Sequence, residues 1–171
     1  MNYILDEKNS KSSFIAYAPM HKFKGWADGG LTGTVDVDTD DFTISKFLVA
    51  AETGRFDTGD PGRNKAMMEF FDLKKHSETS FTLTELKSIK STGNNKYQAT
   101  LVGILDFAGI RRQLPIVCNI VNGTERIVFD MGVKWSFKAY GIKAPQLLFL
   151  TVRDIVDITA HLEFIPVQGD V

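Results

Sequence analysis

The residue types that most often carry catalysis are few in this chain and share no common spacing. His21 lies in a Gly-rich segment, His76 follows a predicted helix, and His161 lies on the polar face of a predicted strand. Cys118 is the only cysteine and alternates with aliphatic residues, so we expect a small buried side chain, with no internal disulfide and no thiolate-based zinc site. The sequence also holds no nucleophile elbow, phosphate loop or HExxH motif. We therefore predict no enzymatic activity, no catalytic residues and no metal site.

The segment 56–71 is the clearest helical interruption in a chain otherwise patterned as strands. Asp60 can cap a helix N-terminus, and Pro61 suits the first helical position, where its missing N–H costs nothing. Met and Phe side chains then recur at three- and four-residue spacing between Met67 and Phe71, which places them on one side of a short helix. This apolar flank either packs into a core or forms the wall of a ligand cavity, and flexible Met side chains suit both.

Four polar residues surround the start of this predicted helix: Asp57, Thr58, Arg63 and Asn64. One interpretation is a capping and turn network that anchors the helix. The other is a set of contacts to the head group of a ligand at the mouth of a cavity. The sequence leaves both interpretations open.

Alternation of apolar and polar residues predicts about eight strands and no βαβ spacing. The predicted strands cover 13–20, 31–38, 42–53, 81–86, 97–107, 114–120, 127–135 and 156–164. The glycines of 21–30 predict a turn or mouth loop, and Asn122-Gly123 is a strong hairpin signal. These strands indicate an all-β, antiparallel fold. Closure into an eight-stranded barrel would remove exposed edges and leave an interior that side chains fill or that holds one small ligand.

The size, composition and net charge of the chain limit the kinds of ligand and partner that we expect. The 171 residues fit a single domain over 1–171, and 13 Phe are a surplus that fills a large core or lines an apolar cavity. With 20 Lys and Arg against 21 Asp and Glu, the net charge of -1 gives no electrostatic case for nucleic acid or an anionic membrane.

No stretch is long and apolar enough for an integral membrane segment, and the first residues lack a signal-peptide pattern. We expect a cytoplasmic protein, or a periplasmic or secreted one if a native signal was removed, and a homodimer stays open.

Several motifs, in order along the chain, resemble those of one family. Asp6, Ser13 and Phe14 match its opening pattern, and the segment from Asp57 to Asp72 resembles its D-T-G-(x)-R-(D/N) element with the Met and paired aromatics that follow. Phe81, the set Gly103, Leu105 and Gly109, and the alternating final strand continue the match. The chain thus resembles the YceI-like family of lipocalin-like polyisoprenoid-binding proteins, although Asn64 stands where many members have Asp.

This resemblance implies a lipocalin-like barrel that binds, stores or transports a long apolar ligand, such as a polyisoprenoid, a quinone tail or a fatty-acyl compound, with no cofactor required. The alternative is a structural or protein-interaction barrel whose interior is filled by its own side chains. For the first case we predict a ligand wall that combines the helix flank with the inward faces of the strands. It comprises Phe14, Phe47, Val49, Met67, Met68, Phe70, Phe71, Phe81, Leu83, Leu101, Leu105, Phe107, Phe129, Met131, Trp135, Ile158 and Leu162.

Overall fold

The structure, a computed structural model, describes residues 1–147 and 150–168. It contains thirteen strands, one α-helix and three short 3-10 helices among these residues. The strands are β1 (Asn2–Leu5), β2 (Lys11–Ala18), β3 (His21–Ala27), β4 (Leu31–Asp38), β5 (Thr43–Glu52), β6 (Phe56–Asp57), β7 (Glu78–Gly93), β8 (Lys96–Phe107), β9 (Ile110–Asn122), β10 (Ile127–Ser136), β11 (Gln146–Leu147), β12 (Leu150–Thr151) and β13 (Ile155–Pro166). The helix α1 covers Pro61–Phe70, and the 3-10 helices cover Glu7–Asn9, Thr53–Arg55 and Lys138–Tyr140.

Eight antiparallel strands close into a barrel in the order β1-β4-β5-β7-β8-β9-β10-β13. The N-terminal strand β1 closes the ring because it pairs with β4 on one side and with β13 on the other. This confirms the predicted fold class, an all-β antiparallel eight-stranded barrel with one short inserted helix. Strand β1 was not predicted, because its four residues are too few to show a clear alternation.

On one side, strand β13 pairs with two different strands. The last residues of β13 pair with β1, whereas 157–161 pair with β2, which leads on to β3 and β6. The prediction of a loop over 21–30 was therefore wrong for 21–27, which form β3. The physical reason is that Phe23 and Gly25 point inward on this strand, and a buried glycine hides the alternation.

The segments that connect the strands lie at the two ends of the barrel. One, the helix end, carries the β2–β3 turn, the segment 53–77 with α1, the β8–β9 turn, and residues 137–147 and 152–154 of the connection between β10 and β13. Helix α1 begins at Pro61 as predicted, and Oδ1 of Asp60 accepts a hydrogen bond from the backbone N–H of Arg63 at 3.1 Å. None of the ten helix residues is buried, so α1 covers the helix end without packing into the core. Within the described part of the chain, no helix is long and apolar enough to cross a membrane.

The packed core fills the half of the barrel opposite the helix end. Phe47, Phe129 and Phe164 are at most 2% exposed, and their ring centroids lie 5.1 to 5.8 Å apart. We call these three residues the aromatic floor. Further from the helix end, Phe42 stacks on Tyr97 at 4.3 Å. Aromatic rings at these separations interact favourably beyond the area that they bury, so this half of the barrel is closed by side chains.

Candidate functional site

An apolar cavity of about 290 Å³ lies between the aromatic floor and helix α1. Side chains from the strands of both the ring and the β2–β3–β6 extension form its wall, and the apolar flank of α1 covers it. Eight of the chain's 13 Phe line the cavity, so more than half of these residues border an open space. The volume is near the lower end of the range for small-molecule pockets, about 300–1,000 Å³.

The cavity is elongated along the barrel. On β13, inward residues from Val156 to Leu162 all face it, and a strand rises about 3.4 Å per residue, so this wall alone is roughly 20 Å long. Towards the aromatic floor, Phe81 lines the cavity, and its ring meets that of Phe47 edge-on at 6.2 Å. A space that extends along a strand in this way and ends at a packed core suits an extended chain better than a compact ligand.

At the helix end, four aromatic side chains form a continuous rim. Phe71 contacts Phe107 at 5.0 Å and Phe137 at 6.1 Å, and Trp135 contacts Phe107 and Phe137 at 5.5 and 4.7 Å between ring centroids. All four line the cavity. Phe70 also lines it and remains 43% exposed to solvent, which is a high exposure for a Phe. The apolar flank of α1 therefore lies over the opening of the cavity.

The predicted ligand wall divides into two groups in the structure. Those that line the cavity are Phe14, Val49, Met67, Phe70, Phe71, Phe81, Leu105, Phe107, Met131, Trp135, Ile158 and Leu162. The remaining five are not part of its wall: Phe47 and Phe129 belong to the aromatic floor, Leu101 and Leu83 pack in the same half of the barrel, and Met68 lies on α1 away from the cavity. Ligand contact by any of them stays a prediction.

Several wall residues were not predicted from the sequence. They are mainly Phe23, Phe56, Phe137, Val152 and Val156, which come from β3, β6, the connection after β10 and the start of β13. Phe23 was missed because β3 was interpreted as a loop. Phe137 follows Trp135 at a spacing of two, and this continued alternation was the one signal that could have identified it.

The polar residues at the start of α1 serve two separate purposes. The side-chain oxygen of Asn64 accepts a hydrogen bond from the backbone N–H of Thr58 at 2.8 Å, and its Nδ2 donates to Oδ1 of Asp57 at 3.0 Å. The backbone N–H of Gly59 also donates to Oδ1 of Asp57. The hydrogen bond from Asn64, followed by that from Gly59, holds the pKa of Asp57 below its ordinary value. Asp57, Thr58 and Asn64 thus tie α1 to β6, and we call them the lid anchor.

Arg63 takes no part in the lid anchor. Its guanidinium Cζ lies 5.0 Å from the centroid of Phe23, and Arg63 and Phe23 both line the cavity. This geometry is a cation–π contact. The structure thus places Asp57, Thr58 and Asn64 in an anchoring arrangement, and both Thr58 and Arg63 line the cavity. Contact of any of these residues with a ligand head group stays a prediction.

Two glycines keep aromatic rings flat against the barrel wall. Gly25 lies directly opposite Phe14 in the β2–β3 pair, and a Cβ added to Gly25 would lie 2.1 Å from Cζ of Phe14. A Cβ added to Gly103 would lie 2.6 Å from Cζ of Phe81. Because neither glycine has a side chain, the rings of Phe14 and Phe81 rest on the neighbouring backbone and leave the cavity open.

Cys118 and the three histidines lie outside the cavity wall. Burial raises the pKa of Cys118 to about 12, which makes thiolate formation unfavourable. His161 lies on the outer surface between Asp130 and Glu163, and His76 packs against the β8–β9 turn at Gly109. In the described residues, no group of three or more His, Cys, Asp or Glu side chains is arranged to hold a metal ion.

The comparisons with known proteins agree with this geometry. The sequence model of the YceI-like domain matches residues 3–164, which is nearly the whole chain. This chain belongs to the YceI-like family. The order of motifs from Asp57 to the final strand, which resembled this family, is thereby explained. No curated protein is significantly similar to this YceI-like chain.

Solved structures share its fold at low sequence identity. Burkholderia cenocepacia BcnA superposes with a TM-score of 0.77 at 20% identity and covers 93% of this chain and 98% of its own. A polyisoprenoid-binding domain from Saccharophagus degradans has the same TM-score at 17% identity, covering 96% and 98%. The Campylobacter jejuni YceI protein has a TM-score of 0.69 at 18% identity, covering 85% and 86%. At such identities these similarities establish the fold.

Proposed function

We propose that this protein binds a long apolar ligand inside its barrel, for storage or transport, without catalysing a reaction. The ligand class is a polyisoprenoid, a quinone tail or a fatty-acyl compound. The observation that carries the proposal is the elongated cavity, which is walled almost wholly by apolar side chains and covered by the apolar flank of α1.

The physical driving force follows from the wall. Each Å² of apolar surface that leaves water contributes about 25 cal/mol, so a chain enclosed by Phe, Met and aliphatic residues binds without specific polar contacts. Met67 and Met131 add side chains that adapt to different chain shapes. The Saccharophagus degradans structure, described as a polyisoprenoid-binding domain, gives independent support for this ligand class in the same fold.

The alternative of a barrel filled by its own side chains fits only half of the molecule. The aromatic floor and the residues beyond it are packed, as that alternative requires. Between the floor and α1, however, the cavity remains, and the exposed ring of Phe70 gains no burial in a filled barrel. We therefore favour ligand binding over a purely structural or protein-interaction role.

Non-enzymatic binding is supported by what surrounds the cavity. Its wall contains no His, Cys, Asp or Glu among the described residues, so the Ser and Thr hydroxyls that line it have no such side chain in the wall to act as their general base. The ligand itself requires no cofactor for such binding. A homodimeric state, the cytoplasmic or exported compartment and the single-domain organisation over 1–171 stay predictions.

A charge placed in the cavity wall tests the proposal. Ile158 faces the cavity, whereas Val117 on β9 is 50% exposed on the outer surface, so Ile158→Lys and Val117→Lys place the same charge inside and outside. We expect Val117→Lys to take up a fluorescent fatty-acyl probe and a short polyprenol like the original protein. Ile158→Lys should lose at least tenfold in affinity, since an isolated charge in an apolar site is costly.

Thermal unfolding of the same variants separates the two candidate functions. Ligand binding predicts a folded Ile158→Lys protein with impaired uptake, because the Lys side chain can extend through the cavity towards the helix end. A filled core predicts that Ile158→Lys unfolds the protein and that the original protein takes up neither probe. That second pattern would refute the proposed function.

A further inference from the structure

Arg63 is the one charged side chain in the cavity wall among the described residues. It projects from the first turn of α1, is 28% exposed, and lies against Phe23. A guanidinium carries five N–H donors, which match the oxygens of a carboxylate or phosphate in pairs. A permanent positive charge at the entrance of an otherwise apolar cavity suits the head group of an amphiphile.

Within the described residues, the guanidinium of Arg63 has one acidic neighbour at ion-pair distance. The closest carboxylate oxygen in the described structure is Oδ2 of Asp60, which is 3.9 Å from Nη2 of Arg63 and beyond hydrogen-bond distance. Oδ1 of Asp60 already accepts a bond from the backbone N–H of Arg63 as the helix cap. The guanidinium therefore keeps donors for a ligand, with Asp60 as the one nearby acidic competitor.

Three hydroxyl groups of the wall are already engaged within the protein. Ser12 donates to the backbone oxygen of Thr159 at 3.1 Å, Ser13 shares a hydrogen bond with the Thr159 hydroxyl at 2.9 Å, and Thr79 donates to the backbone oxygen of Asp106 at 2.7 Å. The hydroxyl donors of Ser12 and Thr79 are thus used within the barrel, and the Ser13 hydroxyl is engaged with that of Thr159. Because it carries the one charge in the described wall, Arg63 is the wall residue best able to discriminate between head groups.

We infer that the ligand is an amphiphile with an anionic head group, a carboxylate or a phosphate, which Arg63 binds at the helix end while the apolar chain occupies the cavity. This inference rests on the proposed function and adds the chemical class of the head group. Arg suits both anions because its planar fork donates two parallel hydrogen bonds. The lid anchor holds the first turn of α1, and with it the backbone of Arg63, in place.

Three probes with the same hexadecyl chain test the inference: hexadecanoate, hexadecyl phosphate and hexadecanol. Their affinities are measured by displacement of a fluorescent apolar probe at pH 8 and low ionic strength. We expect one or both anions to bind roughly ten- to a hundred-fold more tightly than the alcohol, the range for a hydrogen bond to a charged group. Preference for hexadecanoate indicates a carboxylate ligand, and preference for hexadecyl phosphate indicates a phosphate ligand.

Two helix variants assign this preference to Arg63. Arg63→Gln and Lys65→Gln each remove one positive charge from α1, but Lys65 is 79% exposed and lies outside the cavity wall. Arg63→Gln should abolish the preference for anions and leave hexadecanol binding within about twofold, whereas Lys65→Gln should retain the preference. Arg63→Lys, which keeps the charge without the fork, should retain part of it.

The outcomes separate this inference from the proposed function. Equal binding of the anions and the alcohol by the original protein, or a preference that survives in Arg63→Gln, overturns the anionic head group but leaves apolar ligand binding intact. Failure of all three probes to bind overturns both. The ratio of anion to alcohol affinity in the original protein needs no variant, so it decides the question even if Arg63→Gln does not fold.

Discussion

The substitution Gly25→Ala tests whether the cavity depends on Phe14 lying flat against β3. The added Cβ would be 2.1 Å from Cζ of Phe14, and also 2.5 and 2.7 Å from its two Cε atoms. Nonbonded carbon atoms pack about 3.5–4.0 Å apart, so the ring must move by roughly 1.4–1.9 Å. The β3 backbone blocks one direction, and the ring therefore moves into the cavity that it lines.

Both stability and ligand uptake should change. Overpacking of this kind costs about 1–3 kcal/mol, and each kcal/mol lowers Tm by roughly 2–4 °C in a chain of this size, so we expect a fall of roughly 2–12 °C. A displaced ring that excludes two methylene groups of a bound chain removes about 1.6 kcal/mol, which weakens binding roughly tenfold. Thermal unfolding and displacement of a fluorescent fatty-acyl probe measure the two effects.

Gly54→Ala is the matched control, because no atom lies within 4 Å of a Cβ placed there and Gly54 is exposed. It should leave Tm and probe affinity close to those of the original protein. In a double-mutant cycle, Phe14→Leu should relieve the clash, so that Phe14→Leu with Gly25→Ala loses less stability than the two single changes added together. Unchanged Tm and uptake in Gly25→Ala, or strict additivity in the cycle, would refute this account of the wall.

Two further changes probe the surface network and the lid anchor. The carboxylates of Glu163 and Asp130 raise the pKa of His161, so this cluster stabilises the fold below the ordinary His pKa of about 6.5 and loses its effect as pH rises through the raised value. Because His161 also lowers the pKa of Glu163, protonation of that carboxylate ends the effect at acidic pH. Urea unfolding of His161→Gln should thus differ from the original protein most between these limits, by about 1 kcal/mol or less, and a difference that does not vary with pH would contradict the assignment. Asn64→Asp replaces the amide donor facing Asp57 with an acceptor, so we expect a loss of about 1–3 kcal/mol locally and faster hydrogen exchange over 57–71 at neutral pH, and unchanged exchange would argue against the lid anchor.

The barrel itself could be predicted from the sequence because the strands of its ring alternate in a regular way. The final strand shows this best: Val156, Leu162 and Phe164 are buried as the pattern indicates. Strand β1 could not be predicted in this way. Its four residues form a strand through pairing with β4 and β13, which are distant in the sequence. β3 was missed because Gly25 is required by the ring of Phe14, a contact that no local pattern reveals.

The candidate site could be predicted by face but not by depth. Alternation places Phe47, Phe81 and Phe129 inside the barrel, but only Phe81 reaches the cavity, because position along the barrel axis depends on strand tilt and register. Likewise, the residues from Asp57 to Asn64 were identified as one group, whereas their side-chain directions separate the lid anchor from Arg63. Such directions are set by tertiary packing around a helix start and leave no periodic signal.

Native mass spectrometry of freshly purified protein tests most directly whether the cavity carries an apolar ligand. The same sample is extracted with organic solvent, and the extract is analysed for apolar compounds. We predict an adduct of a few hundred daltons on the 19.1 kDa chain, released into the organic phase. A bare chain mass, together with no uptake of added polyprenyl or fatty-acyl compounds, would contradict the account.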